Sequence, residues 1–580
     1  MQSLKSLKFI LILFCITIFL VPLVPGQTTY TWNVNGSGAW TNATNWTPSR
    51  TAPAANDILV FDGNIAFVPI TISNIQTETI QQLHLLSSVS VSLDGTVSAT
   101  LTIGGDGSFL DDLTVPAGCT LRITGTNTVS VELSLTATGL IGGDIIFNAT
   151  GANKQHRIIS KAGGALVFQS GSSAAMAPKN GGAGGGFGGN SAPVPANGGV
   201  IFLSGSTYYQ GGLKDGTRNG APGTTPFGLN QPQSAVVFNP GSTYLCWDGT
   251  LNIAGRTYGH FIWRGSISQT APAGAAPLIV NGNFIVRNSG IVDQGNIGLS
   301  GHTGAITVTG NFIVETGAGQ FIEGSAPTTT QNFSIGGNVD IQDPSLFNPT
   351  TNINRVYRLN GIVNQNVNFA GATLPNLTVN NTSNITLTGN VTVAGQLNLI
   401  AGELVTGSNT ITAADGLTGV IRTSGFVNGT LTRNINAANT GIRSFPIGTT
   451  GKYAPVDFEI TIAGTGSGTL AVNSTDGDHP NLPGNGADAI NRYWNLTASV
   501  ISGFTADITF TYLDGDLDSV DEITLIIARY LGTGTNWEEF EGASIVIDQL
   551  DNTAKVIGVL TLSDWTLYEA GSLIKDWMLN

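Results

Sequence analysis

The chain has 580 residues, 77 of them glycine, with only 10% charged residues and a formal net charge of −14. Small and β-branched residues recur throughout and few segments carry a 3.6-residue apolar stripe, so the composition favours an all-β protein of more than one domain. A pI near 4.7 argues against nucleic acid, whose phosphates need a basic face, and gives no reason for attraction to anionic lipids.

Residues 1–26 read as a signal peptide: Lys5 and Lys8 precede the apolar run Phe9 to Val21, and Val24-Pro25-Gly26 offers small residues for cleavage. The run is short for a membrane anchor, and no later segment is long and apolar enough to span, so the mature chain is expected to be secreted or held on the outer cell surface. It keeps two cysteines, Cys119 and Cys246, which could form one disulfide in an oxidising compartment.

Next come Trp32 to Trp40, Asn45-Trp46 and Asn56-Asp57-Ile58-Leu59-Val60-Phe61-Asp62. This spacing of Trp, Gly, Asn-Trp and Asn-Asp resembles the opening of autotransporter-like β-strand-repeat passengers and related secreted surface proteins of Gram-negative bacteria. The resemblance implies an aromatic cap that starts a right-handed β-helix. Large rings closing the open end of a solenoid give the same reading physically, with sugar stacking on Trp40 and Trp46 as the alternative.

From Ile58 to Gly151 apolar alternation is interrupted by Gly, Asp and Asn turns, as irregular early rungs would be. Residues 178–235 break the pattern and read as a Gly-rich insertion. Its Gly184, Gly186 and Gly189 form a GxGxxG without the strand–turn–helix context that nucleotide binding needs. Residues 236–281 hold a dense aromatic cluster. Trp247, Asp248, Tyr258, His260, Trp263 and Arg264 are its candidate saccharide ligands, because rings stack on sugar faces and charged groups hold hydroxyls. The competing expectation is that half of these rings face a core.

The clearest repeat follows. Asn283, Asn311, Asn338, Asn366 and Asn390 open five similar segments and lie 28, 27, 28 and 24 residues apart. A near-constant period of this size marks a solenoid, here a parallel β-helix over residues 27–430. Phe284, Phe312, Val339, Val367 and Val391 should form one internal column, Val286, Val314, Ile341, Phe369 and Val393 the next, and the asparagines an amide ladder. About fifteen rungs would give a stack of roughly 70 Å.

Residues 431–575 lose the period but keep strands, as an antiparallel β-sandwich would. Phe445-Pro446-Ile447-Gly448, Arg492-Tyr493-Trp494-Asn495-Leu496 and Trp565-Thr566-Leu567 resemble the sandwich that follows β-helices in large surface proteins exported by the type IX route.

The search for chemistry yields little. Asp293 and Glu323 could be neighbours across one rung and serve as a glycosidase acid pair, whereas Arg287 and Glu315 read as an exposed charge ladder. Asp514, Asp516 and Asp518 resemble a calcium loop, although the twelfth position is Leu525 rather than Glu; Ca²⁺ is the one cofactor the sequence suggests. No GxSxG, HExxH, CxxC or P-loop occurs. The sequence therefore favours a non-enzymatic stalk or adhesin whose partner is an extracellular polysaccharide or a host or matrix glycan. A polysaccharide lyase or glycosidase is the first alternative and a structural sheath protein the second.

Overall fold

The structure is a computed structural model that describes residues 26–570, except 107–110, 152–153, 178–184, 189–193, 215–226, 250, 252, 266–267, 272, 289, 291–294, 325–326, 484–487 and 535. The expected signal peptide, apart from Gly26, and much of the expected insertion lie outside the described residues.

The chain is all-β and is dominated by long parallel sheets compatible with a solenoid. Strands such as Asp57–Asp62 and Ser90–Gly95 alternate buried and half-buried side chains along their whole length, so each has one face inside. One long face begins at Gly38–Ala39, passes through Thr120–Gly125, Thr243–Cys246 and Phe312–Val314, and reaches Ile447–Thr449. Among the described residues it has seventeen parallel strands, which at about 4.8 Å each make it about 75 Å long. A first face runs beside it from Thr28–Trp32 to Val236–Phe238, and another from Arg256–Tyr258 to Val420–Arg422 takes over that role.

The stretch read as an insertion is not wholly outside the stack. Within it, Val200–Phe202 pairs in parallel with both Leu166–Phe168 and Val236–Phe238, and Thr207–Gln210 joins Ser173–Met176 to Thr243–Cys246. The period fails there because the connections leaving the strands are long, while the strands stay in register.

The first expected column holds for four of five copies, and the second pairs over Val286, Val314 and Ile341. Phe284, Phe312, Val339 and Val367 are successive partners, but Val367 then pairs with Leu387, while Val391–Val393 lies on another face beside Ile411. After Asn366 the turns shorten and the step along the long face drops to 19–23 residues. The expected asparagine ladder links Asn283 to Asn366, each side chain bonding to the next rung. Each side-chain Oδ1 accepts the backbone N–H of the next asparagine: Asn311 on Asn283 at 2.9 Å, Asn338 on Asn311 at 2.8 Å and Asn366 on Asn338 at 2.9 Å. The side chain thus serves the backbone group that a strand end leaves unpaired.

Antiparallel strands meet the stack on its first face at the start and on two faces at the far end. At the start, Trp46–Thr47 pairs antiparallel to Thr28–Trp32. Trp46 sits edge-on to Trp32 at 5.2 Å and to Trp40 at 5.5 Å, and all three are buried. Arg50 pins this cap through Asp57 at 2.8 Å and Glu78 at 3.0 Å. The Trp40 and Trp46 rings are therefore packing groups and leave no sugar-stacking face. At the far end, Leu431–Asn436 is parallel to Ile411–Ala413 on one side and antiparallel to Ser467–Asp476 on the other. No break falls at residue 430: the stack's sheet runs on as an antiparallel sheet, faced by a second sheet through Trp494, Phe510 and Trp565. An unpaired edge invites another chain, and here pairing covers it.

Candidate functional site

The aromatic cluster nominated for saccharide binding is divided by strand alternation. Tyr258 and Trp263 are each 1% exposed. Tyr258 lies 4.6 Å from the Tyr244 ring, its phenol pushed up by burial, and the Trp263 indole donates to the Gly295 carbonyl at 2.9 Å. Both are core residues. His260 heads the asparagine ladder, its Nδ1 accepting the Asn283 N–H at 3.0 Å. Asp248 is buried and accepts the Gly249 N–H at 2.6 Å.

Trp247 and Arg264 do face outward, yet they form a roof. The guanidinium lies 4.5 Å from the indole centroid, and the indole packs on Leu245, Ile262 and Ile285, an apolar stripe on the outer side of the long face. Arg thus supplies a cation–π contact and covers aliphatic surface with its stem.

The nominated acids are also committed. Glu323 is fully buried, bonded by Arg355 Nε at 2.5 Å and by the Tyr357 hydroxyl. Arg355 in turn donates to the Gly304 carbonyl at 3.0 Å. A carboxylate locked in such an interior pair cannot meet a glycan. Asp293 lies outside the described residues. Arg287 and Glu315 form the expected surface pair at 3.2 Å. In the nominated calcium turn, Asp516 is fully buried and spends both oxygens on Arg492, at 2.5 and 3.0 Å. Asp514 accepts from Asn552 at 2.6 Å, and Asp518 has a left-handed φ of 49°. Among the described residues no group of three or more His, Cys, Asp or Glu is placed to hold a metal ion. Cys119 and Cys246 are buried free thiols rather than a disulfide, and burial pushes the Cys246 thiol up to about 12.

The sequence reading missed a second repeated element, the turn between the first and long faces. It reads Phe168-Gln169-Ser170-Gly171-Ser172, Phe202-Leu203-Ser204-Gly205-Ser206 and Phe238-Asn239-Pro240-Gly241-Ser242. In each copy the last serine donates its hydroxyl to a carbonyl three residues back, at 2.6 Å, and each glycine has a φ of 80–83°. That backbone is strained for any residue with a Cβ. Below the turns the Phe168 and Phe202 rings stack at 4.4 Å, and Phe202 and Phe238 at 5.1 Å. Gln169, Ser170, Leu203, Ser204, Asn239 and Pro240 line a shallow channel of about 690 Å³ across the three turns.

Two smaller clefts, of about 400 and 370 Å³, flank Asp415 where the parallel stack meets the antiparallel sheets. Burial pushes the Asp415 carboxyl up, but Arg443 and the Asn436 and Gly416 N–H groups outweigh it and hold the pKa below the ordinary range. Burial lowers Arg433 to about 10. With Arg433 donating to the carbonyls of Ala414, Gly416 and Ser444, this cluster clamps the last rungs to the following sheets.

Among the described residues no helix is long and apolar enough to cross a membrane. Comparison with known protein families, characterised proteins and solved structures finds no match to this chain.

Proposed function

We propose that the chain is an exported surface or extracellular protein that acts without catalysis, as a rigid stalk and glycan-binding adhesin. On this reading the parallel stack is a right-handed β-helix and the two C-terminal sheets are a β-sandwich closing its far end. The supporting observation is one uninterrupted long face of about 75 Å, in a stack whose first face starts on an antiparallel pair and whose last rungs run into antiparallel strands. A rod whose first face is capped by the tryptophan-bearing strand and whose last rungs merge into antiparallel sheets has little free edge for end-to-end growth, which favours a stalk over a self-assembling sheath. The acidic surface and the signal-like residues 1–26 support work outside the cell, away from nucleic acid.

The test is a glycan-array screen of residues 27–580 beside a reducing-sugar assay with added Ca²⁺. Binding without release of sugar ends is the expected outcome. Release of sugar ends would contradict the proposal in favour of a polysaccharide-degrading enzyme, and silence in both assays would favour a structural protein.

A further inference from the structure

We infer that the glycan contact lies on the edge between the first and long faces, and that its ligand is an unbranched, uncharged polysaccharide lying lengthwise across successive rungs. This rests on the adhesin reading and gives it a site and a substrate class.

The channel over the turns at Gly171, Gly205 and Gly241 is bordered by Gln169, Ser170, Ser204 and Asn239, with Leu203 and Pro240 between them. None of these carries a charge, so neither a uronate nor a cationic sugar finds a counter-charge in the lining. The amide and hydroxyl groups both donate and accept, which is what sugar hydroxyls require. Asp144, on the same side of the stack, is paired with Lys214 at 3.2 Å.

The floor is kept open by the backbone. The Gly171 N–H donates to the Gly205 carbonyl at 3.0 Å, and the Gly205 N–H to the Gly241 carbonyl at 2.9 Å. A Cβ on Gly205 would sit 2.3 Å from the Ser170 hydroxyl, and one on Gly241 2.3 Å from that of Ser204. Only glycine lets successive turns nest this closely. The hydroxyls of Ser170 and Ser204, both exposed, therefore repeat at the strand spacing of about 4.8 Å, close to the length of one residue in an extended glycan.

Beside the channel, Val167, Ile201 and Val237 are in register and point outward, half-buried. A pyranose chain has a C–H face and a hydroxyl rim, and this edge offers an aliphatic strip along a polar row.

A second hollow on the same edge supports the assignment. Near the cap, a hollow of about 320 Å³ is lined by Pro69, Ser87, Ser88 and Phe67, a residue 74% exposed. Ser88 stands over Gly118 as Ser170 stands over Gly205: a Cβ on Gly118 would lie 2.6 Å from the Ser88 hydroxyl.

The experiment is isothermal titration of residues 27–580 with unbranched neutral oligosaccharides of three to eight units (cello-, xylo-, malto- and chito-series) and with oligogalacturonate. The wild type is expected to bind one neutral series, with affinity rising with length. Ser204→Tyr, which fills the channel from an exposed position, should weaken that binding at least tenfold. Should Ser204→Tyr fail to fold by circular dichroism, Gln169→Ala with Asn239→Ala is read in its place. Neutral-glycan binding that both variants leave unchanged would overturn this inference and leave the adhesin reading standing. Binding of oligogalacturonate alone would overturn the substrate class. A wild type that binds no glycan would overturn both.

Discussion

The rungs from Leu166 to Trp263 and those from Gly282 to Phe369 share one continuous sheet, yet they are held together by different groups. In the later rungs an asparagine on each strand bonds to the backbone of the next, and the core is Phe, Val and Ile. In the earlier rungs the turns nest through glycine, hydroxyls fasten them, and stacked Phe and Tyr rings fill the core. Ser90, Thr120, Asp144, Ser173, Thr207 and Thr243 occupy the outward column that His260 then hands to the asparagines. The difference teaches that parallel stacking needs only that each turn satisfy its own peptide groups; asparagine is one way and a left-handed glycine is another.

The most costly single substitution lies inside the later rungs. Arg355→Met strands a buried carboxylate at Glu323 and is expected to cost about 3–5 kcal/mol. Adding Glu323→Gln should recover much of that loss, as read by urea denaturation.

Acid tests the rung just before Leu166. His156 is fully buried and burial holds it down at about 4, its Nδ1 accepting the Val129 N–H. The unfolded chain takes up that proton near pH 6.5. Stability is therefore fully present above that pH and is lost as pH falls from about 6.5 to about 4, by an amount on the order of 3 kcal/mol. His156→Gln should flatten this part of the pH dependence in chemical denaturation.

Gly241→Ala forces a Cβ into a left-handed turn and against Ser204, at an expected cost of about 2 kcal/mol. Asn311→Ala removes one rung of the amide ladder and should cost about 1 kcal/mol, since water can reach the freed N–H of Asn338. Thermal melts of the two variants side by side check this order. A larger loss from Asn311→Ala would mean that the asparagine ladder, more than turn packing, sets rung stability.

What could be read in the sequence follows the same division. The asparagine period was legible because rung length is nearly constant between Gly282 and Asn366. The cap was legible because three tryptophans precede the first long strand. The turn motif around Gly171, Gly205 and Gly241 was hidden by long connections after Ala177 and Gln210, which spread the copies 34 and 36 residues apart. Counting residues fails where turn chemistry persists. The shorter steps after Asn366 misled in the opposite sense, placing Val391 in a column that belongs to Leu387. The inward or outward sense of Trp247 and Trp263 could not be fixed, since Cys246↔Trp263 is the register pair and Trp247 lies one residue beyond its strand's end. Glu323 and Asp516 read as surface acids because their arginine partners are 32 and 24 residues distant in sequence.

One unbroken stack makes a rod, and small-angle X-ray scattering of residues 27–580 reads that shape in solution. A long face of about 75 Å with further sheets at its end predicts a radius of gyration above about 30 Å and a rod-like cross-section profile. A value near 24 Å, which is about what a compact chain of this length would give, would contradict it.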